Sequence, residues 1–334
     1  MKKNYSYDDV LLVPQFSDIE SRKEIDISAS MGNHIYLSTP IISAPMDTVT
    51  NQHMASALNE CGALGVIHRY NTIQEQLNSV RGVNVYRAAA IGTTGDWQER
   101  AMALVNDGNV NALCVDIAHG HHVLMKRALE WLRDNFDNTH IMAGNVATLK
   151  AFDDLSDWGA DSIRVGIGGG STCSTRIITG HGVPSLSCVL ECAKSDRDAI
   201  LIADGGIKSS GDIVKALAAG ADVVMVGSLL AGCVESPGEV FHRGGLPYKT
   251  YRGMSSVESQ IDWRGHYSSI EGVSHVVPFK GRVAEVIDKL NNGIRSGLSY
   301  SGARNIMDFQ TRARLIIQTS AGSYESGTHI KDRF

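Results

Sequence analysis

The chain has 334 residues, 43% hydrophobic and 20% charged, with a formal net charge of −5. This is the composition of a globular protein with a buried core, and the acidic excess argues against general binding to nucleic acid or acidic membranes. No apolar run approaches the roughly 18 residues of a membrane span, and the opening "MKKNYSYDDVLLVP" lacks the apolar centre of a secretory signal. Six cysteines without a CxxC pair predict reduced thiols in a cytoplasmic protein, and the histidines and cysteines lack zinc-ligand spacing.

After an N-terminal extension (1–30), eight short apolar runs follow in order. They are "TPIISAPMD" (39–47), "GALGVIHRY" (62–70), "RAAAIGTTG" (87–95), "NALCVDIAHG" (111–120), "HIMAGNVAT" (140–148), "DSIRVGIGGG" (161–170), "AILIADGGI" (199–207) and "ADVVMVGSLLAG" (221–232). Each is continuously apolar rather than alternating, as strands buried on both faces require. Between them "TNQHMASALNECG", "DWQERAMALVNDG", "HHVLMKRALEWLRDNF" and "SSGDIVKALAAGA" carry helical spacing, several stopping at Gly. Eight strand–helix units predict a parallel TIM (β/α)8 barrel, one domain over 1–334, with a flap at about 251–281 and a C-terminal tail. An open doubly wound sheet would carry a Gly-rich dinucleotide turn after its first strand, and none is there. Asp47, His68, Asp116, Asn145, Cys173, Asp204 and Ser228 follow the strands at their C-terminal ends, where barrels assemble their sites.

The stretch "GIGGGSTCSTR" (166–176) puts Cys173 on a glycine-rich loop beyond the sixth strand. A thiolate there could attack an electrophilic carbon, with Thr175 handling protons; a flexible loop with an incidental cysteine reads the same locally. "IADGGI" and "VGSLLAG" follow strands seven and eight, where glycine amides and a helix start commonly cradle a phosphate and Asp204 could hold a ribose hydroxyl pair. "DIAHGHH" (116–122) offers three histidines, better read as solvated or substrate-facing than as metal ligands; Asp116 at the strand tip is the functional candidate. The polar, Gly-punctuated 251–281 reads as a lid or a disordered loop, with Glu271 either an acid/base or a solvated surface carboxylate.

Taken together, "DDVLLVP", "PMDTVT", "AGNVAT", "GSTCSTR", "IADGGI", "GSLLAG", "YRGMSS" and "VPFKG" resemble, in order and over nine-tenths of the chain, the inosine-monophosphate dehydrogenase / guanosine-monophosphate reductase family. The resemblance implies a homotetrameric TIM barrel that binds a purine nucleoside monophosphate (GMP or IMP), forms a covalent thioimidate at purine C2, and exchanges a hydride with a nicotinamide cofactor. By motif, it makes Cys173 the nucleophile and Thr175 and Glu271 its proton relay. Ser171, Asp204, Gly206, Gly227, Ser228 and Tyr251 resemble the ribose-phosphate site, with Gly253, Met254 and Ser255 near the base. Arg69, Asp116, Ala118 and Asn145 resemble the cofactor side, and Gly168, Gly170 and Cys173 the loop whose carbonyls hold a monovalent cation, K+. Gly169 stands where the family usually has proline, which loosens that loop.

Between the two activities, the reductase with NADPH is preferred to the dehydrogenase with NAD. The regulatory CBS modules usual in the dehydrogenase are absent between strands two and three, and no Arg-Tyr dipeptide for activating water lies in the short flap; Arg264 and Tyr267 are separated by Gly-His. "SRKEID", "HYSSIEGVSHVVPFKG" and "GIRSGLSYSGA" resemble the reductase, whereas "AAAIGTTGDWQERAMALV" and "TSAGSYES" resemble bacterial dehydrogenases, and Arg69 replaces a frequent lysine. A nucleotide sensor without turnover is the non-enzymatic alternative, and a complete Cys173, Thr175 and Glu271 set argues against it.

Overall fold

The computed structural model describes residues 3–327. Eight parallel strands close into a barrel: β1 (Ile41–Ser43), β2 (Leu64–Ile67), β3 (Ala88–Ile91), β4 (Ala112–Asp116), β5 (His140–Val146), β6 (Ser162–Val165), β7 (Ile200–Asp204) and β8 (Val223–Val226). β8 pairs back onto β1, with Val226 opposite Ser43, so no strand edge is left open. All eight coincide with the apolar runs of the sequence.

Each strand divides its side chains between two cores. Val66, Ala88, Ala90, Met142, Ile202 and Met225 face the barrel axis, while Ile67, Ala89, Ile91, Ile163 and Val224 face the helices. Both sets are buried, which is why the runs show no polar alternation. Helices Gln52–Glu60, Ile73–Arg81, Trp97–Met102, Val123–Asn135, Leu149–Asp157, Ser185–Cys192 and Ser210–Ala218 follow the first seven strands. Most begin on a side-chain cap, as Asn51, Thr72, Thr148 and Ser209 illustrate. Among the described residues no helix is long and apolar enough to cross a membrane.

Two features depart from the linear reading. The helix completing the eighth unit, Val283–Ser299, is delayed until after a long excursion from β8. That excursion is built of regular structure: antiparallel strands β9 (Phe241–Arg243), β10 (Leu246–Arg252) and β11 (Ser274–Pro278), with helix Val257–Arg264 between the last two. It therefore begins before residue 251 and is neither a plain loop nor disordered. Residues of β9 and β11 are mostly exposed on both faces, so no hydrophobic alternation marks them as strands.

The extension before the barrel reaches residue 40 rather than 30. A hairpin, Ala29–Ser30 with Tyr36–Leu37, inserts Met31 and Ile35 into the inner core and closes the N-terminal end of the barrel. Strand Val10–Leu12 pairs antiparallel with Leu315–Ile317, tying the extension to the C-terminal tail. The two ends of the predicted 1–334 domain, residues 1–2 and 328–334, lie outside the described residues.

Candidate active site

A cleft of about 260 Å³ opens at the C-terminal ends of the strands. Every site residue named from the sequence, from Arg69 to Glu271, lines it. The gathering follows from topology: parallel closure brings together the segments that follow the barrel strands, and the excursion after β8 adds Tyr251, Gly253, Met254, Ser255 and Glu271.

Cys173 is half-buried on the cleft wall. The loop that carries it is held from two sides. Its amide donates to the Gly170 carbonyl at 3.1 Å, and the neighbouring backbone pairs with the excursion: Ser174 N–H donates to Glu271 O at 2.8 Å and Val273 N–H to Thr172 O at 2.9 Å. Cys173 and Gly272 form an antiparallel bridge. This pairing sets Glu271 in register with the thiol loop. The Cys173 S–H donates to Thr175 Oγ1 at 3.2 Å, and the Thr175 hydroxyl donates to Glu271 Oε2 at 2.7 Å. A proton on sulfur thus has a two-step hydrogen-bonded path to a carboxylate.

Of the other thiols, Cys61 is also partly exposed and the remaining four are buried. Burial pushes Cys114, Cys188 and Cys233 up to about 11 and Cys192 up to about 12, so they remain neutral at physiological pH.

Next to the thiol loop, β7 ends in Asp204, followed by Gly205 and Gly206 with φ of +95° and +80°. Only glycine adopts two such values in succession without strain, and the turn brings backbone amides to the cleft. Gly227 lies so close to Met46 and Tyr251 that a Cβ there would approach each within 3.1 Å. Ser171 donates to the Tyr251 hydroxyl at 3.3 Å, and burial raises the phenol, keeping it protonated.

Asn145 Nδ2 bridges the Gly166 carbonyl at 2.9 Å and Asp204 Oδ2 at 2.8 Å. Between Asp204 and Asp116 lies Arg164, a residue the sequence reading missed. Its side chain is 8% exposed and donates to Asp116 Oδ1 at 2.6 Å, Asp204 Oδ2 at 3.1 Å and Cys114 Sγ at 3.3 Å. Burial alone would raise the Asp116 carboxyl, but Arg164 and Arg69 outweigh it and hold the group below its usual range. The available signal was a single arginine inside the apolar "SIRV".

Lys280, of the "VPFKG" motif, was also missed as a positioning residue. Its ammonium donates to the Ser228 and Leu229 carbonyls at 2.5 and 3.1 Å and fixes the turn after β8. Two other polar residues at strand ends do not reach the cleft. Asp47 turns to the excursion, where Arg252 (2.7 Å) and Ser259 (2.8 Å) bond it, and His68 is buried beside Asp47, its imidazole pushed down by burial. Two of the three "HGHH" histidines serve the scaffold: His121 pairs with Asp154 at 2.7 Å and His122 caps helix Val123–Asn135, while His119 is exposed.

On the remaining side, Arg69 and Tyr70 line the cleft and Trp263 stacks on Tyr70 at 4.1 Å with planes 7° apart. Arg69 Nε is buried without a hydrogen-bond partner, 3.6 Å from Asp116. In the thiol loop, the Cys173 amide engages Gly170 O and the Arg176 stem packs against Gly168.

A model of the IMP dehydrogenase / GMP reductase domain matches residues 4–329. An inosine-5'-monophosphate dehydrogenase from Nitrosopumilus maritimus (strain SCM1) is 32% identical, covering 98% of this chain and 98% of its own length. A GMP reductase from Leishmania major is 31% identical, covering 98% and 97%. The crystal structure of a GMP reductase from Trypanosoma brucei in complex with guanosine 5'-monophosphate superimposes with a TM-score of 0.93 at 29% identity, covering 99% of this chain and 98% of that one. The two sequence alignments run over 469 and 479 positions, so relatives of both names carry inserted segments that this 334-residue chain lacks. The missing insertion therefore does not separate the two activities, and the choice falls to the cleft.

Proposed function

Because this chain belongs to the IMP dehydrogenase / GMP reductase family of oxidoreductases, we propose that it is a GMP reductase, converting GMP, NADPH and a proton to IMP, ammonia and NADP+. The observation that carries the reading is the hydrogen-bonded line from Cys173 through Thr175 to Glu271. Transfer of the thiol proton along it leaves a thiolate that adds to C2 of the purine. The same proton then goes to the departing amino group, the C2–N bond breaks, ammonia leaves and a thioimidate joins Sγ to C2. Protonation of so poor a leaving group is worth about 10²–10⁴-fold. A bound nicotinamide would supply a hydride for C2; cleavage of the C2–S bond leaves a thiolate, which takes up the proton of the overall equation to restore the thiol.

Asp204 is suited to the ribose hydroxyls, Ser171, Gly206, Gly227, Ser228 and Tyr251 to the 5'-phosphate, and Gly253, Met254 and Ser255 to the base. Arg69, Asp116, Ala118 and Asn145 would border the nicotinamide, and the unpartnered Arg69 Nε fits an arriving polar group. A K+ on the carbonyls of Gly168, Gly170 and Cys173 would stiffen the loop. The reading carries with it a homotetramer in the cytoplasm.

Reductase is favoured over dehydrogenase by the state of the flap. By the resemblance, hydrolysis of the thioimidate takes an Arg-Tyr pair on the flap, but Arg264 is spent on Gln260, Ser268 and the His266 carbonyl. Tyr267 is exposed, and neither residue lines the cleft. The test is to supply purified protein with GMP and NADPH, then with IMP and NAD. Ammonia release with oxidation of NADPH is expected from the first pair; XMP from the second, with no ammonia from the first, would overturn the reading.

A further inference from the structure

Behind the part of the cleft wall that Arg69 and Tyr70 form, the helix after β3 buries a guanidinium. Arg100 is 4% exposed, and the Asp96 carboxylate one turn earlier pairs with it at 2.8 Å. Its remaining hydrogen bonds go to the loop after β2 and the helix Ile73–Arg81 that follows. Nη1 donates to the side-chain oxygens of Gln76 at 2.8 Å and Asn71 at 3.2 Å, and Nη2 donates to the Asn71 carbonyl at 2.9 Å.

The two carboxamides pass this contact on. The Gln76 amide nitrogen donates to the His68 carbonyl at 3.0 Å and to the Ala90 carbonyl on β3 at 2.8 Å. The Asn71 amide nitrogen donates to the same His68 carbonyl at 3.2 Å. A carboxamide has one accepting end and one donating end, so a guanidinium on the oxygen aims the N–H groups the other way. Arg100 therefore sets the orientation of both amides, and both close on one acceptor. That acceptor belongs to the peptide unit joining His68 to Arg69. Gln76 is fully buried, so without the guanidinium its oxygen would lack a donor, and turning the amide over would set oxygen against two carbonyls.

The clamp presents Arg69 to the cleft. The Arg69 guanidinium carbon lies 5.4 Å from the Tyr70 ring centre and 5.9 Å from that of Trp263, and Nε lies 3.6 Å from Asp116. Beneath it, Gly92 leaves the room it needs: a Cβ there would come within 3.4 Å of Nη1. The side chain springs from the clamped peptide, so a shift of that peptide moves the guanidinium relative to Asp116 and the cleft.

We propose that Arg100 is a positioning residue: through Gln76 and Asn71 it fixes the peptide before Arg69 and so holds the Arg69 guanidinium ready for the polar groups of the nicotinamide cofactor. The proposal rests on the reading of the cleft given above, in which Arg69 borders that cofactor.

Two measurements on the intact protein test it. Amide hydrogen exchange, which needs no cofactor, is expected to speed up at residues 68–71 in Arg100→Met and to stay slow along β3 and β4. In steady-state kinetics Arg100→Met is expected to raise KM for the nicotinamide cofactor by about tenfold, with the Kd for GMP within about twofold. Arg100→Lys, which keeps the charge but not the fork, is expected to recover part of that loss. Arg69→Met raises the same KM, and adding Arg100→Met to it is expected to change it little further, because Arg100 acts through Arg69. Unchanged exchange at 68–71, effects of the two substitutions that multiply, or equal weakening of GMP and cofactor would overturn the proposal. Turnover of neither substrate pair would overturn the functional reading, and the cofactor role of Arg100 with it, while the exchange rates decide the clamp. Should Arg100→Met misfold, Asn71→Ala on the half-buried arm reads the same exchange and the same KM.

Discussion

The line Cys173–Thr175–Glu271 joins two chain segments almost a hundred residues apart, and its chemistry depends on which way each hydroxyl donates. With the thiol donating to Thr175 and Thr175 to Glu271, the carboxylate is the terminal proton acceptor. Glu271→Gln keeps the shape and removes the base, so turnover is expected to fall by about 10²–10⁴-fold while the dissociation constant for GMP changes little. Single-turnover kinetics with equilibrium binding separates the two quantities; a matched loss in both would make Glu271 a binding group. In a Cys61→Ala background, which removes the other partly exposed thiol, Cys173→Ala is expected to abolish turnover and also the fast phase of thiol labelling, because burial holds Cys114, Cys188, Cys192 and Cys233 as neutral thiols. A fast labelling phase that survives the substitution would count against Cys173 as the reactive group. Cys173 could be found from its setting on a glycine loop. Arg164 could not, since its importance comes from lying on β6 between Asp116 at the end of β4 and Asp204 at the end of β7.

At the scale of elements, the excursion after β8 carries Glu271 and is latched to the barrel through Asp47. Arg252 on β10 and Ser259 on the helix both bond this carboxylate, and Arg252 reaches on to Asp262 at 2.7 Å. The Asp47 and Arg252 side chains are 9% and 17% exposed; removing Asp47 leaves Arg252 with Asp262 alone and Ser259 without its acceptor, a loss of about 1–3 kcal/mol. Asp47→Ala is therefore expected to loosen the excursion, making residues 241–281 a site of limited proteolysis and lowering kcat by about tenfold or more. Unchanged protease resistance and unchanged kcat would show that backbone pairing between β10 and β11 is latch enough. This segment was the least legible in the sequence, for a definite reason. Its strands pair with one another in solvent and its helix presents only Ser259 and Gln260 to the interior, so no hydrophobic period was available to read.

Across the whole molecule, the barrel keeps its chemistry at one end and part of its stability at the other. His140 begins β5 at the closed end, fully buried, with Nε2 2.7 Å from Ser162 Oγ and Nδ1 unpartnered. Burial pushes its imidazole down to about 4, from about 6.5 in an unfolded chain. The unfolded state then binds the proton first as pH falls, so the stability due to neutral His140 is complete above about pH 6.5 and is lost on the way down to about 4. Between about pH 7 and 5 the loss is expected to be about 2 kcal/mol, and His140→Gln should remove it from urea unfolding curves. Equal acid losses in both proteins would assign the effect to other groups. The sequence by itself determined the eight buried strands, most of the helices between them and the residues at the cleft, because two-sided burial and strand-end position are written locally. Only the tertiary structure decided the Asp116–Arg164–Asp204 bridge, the pairing of residues 10–12 with 315–317, and the register that sets Glu271 against the thiol loop. Those contacts join segments distant in the chain, and neither partner carries a local pattern that names the other.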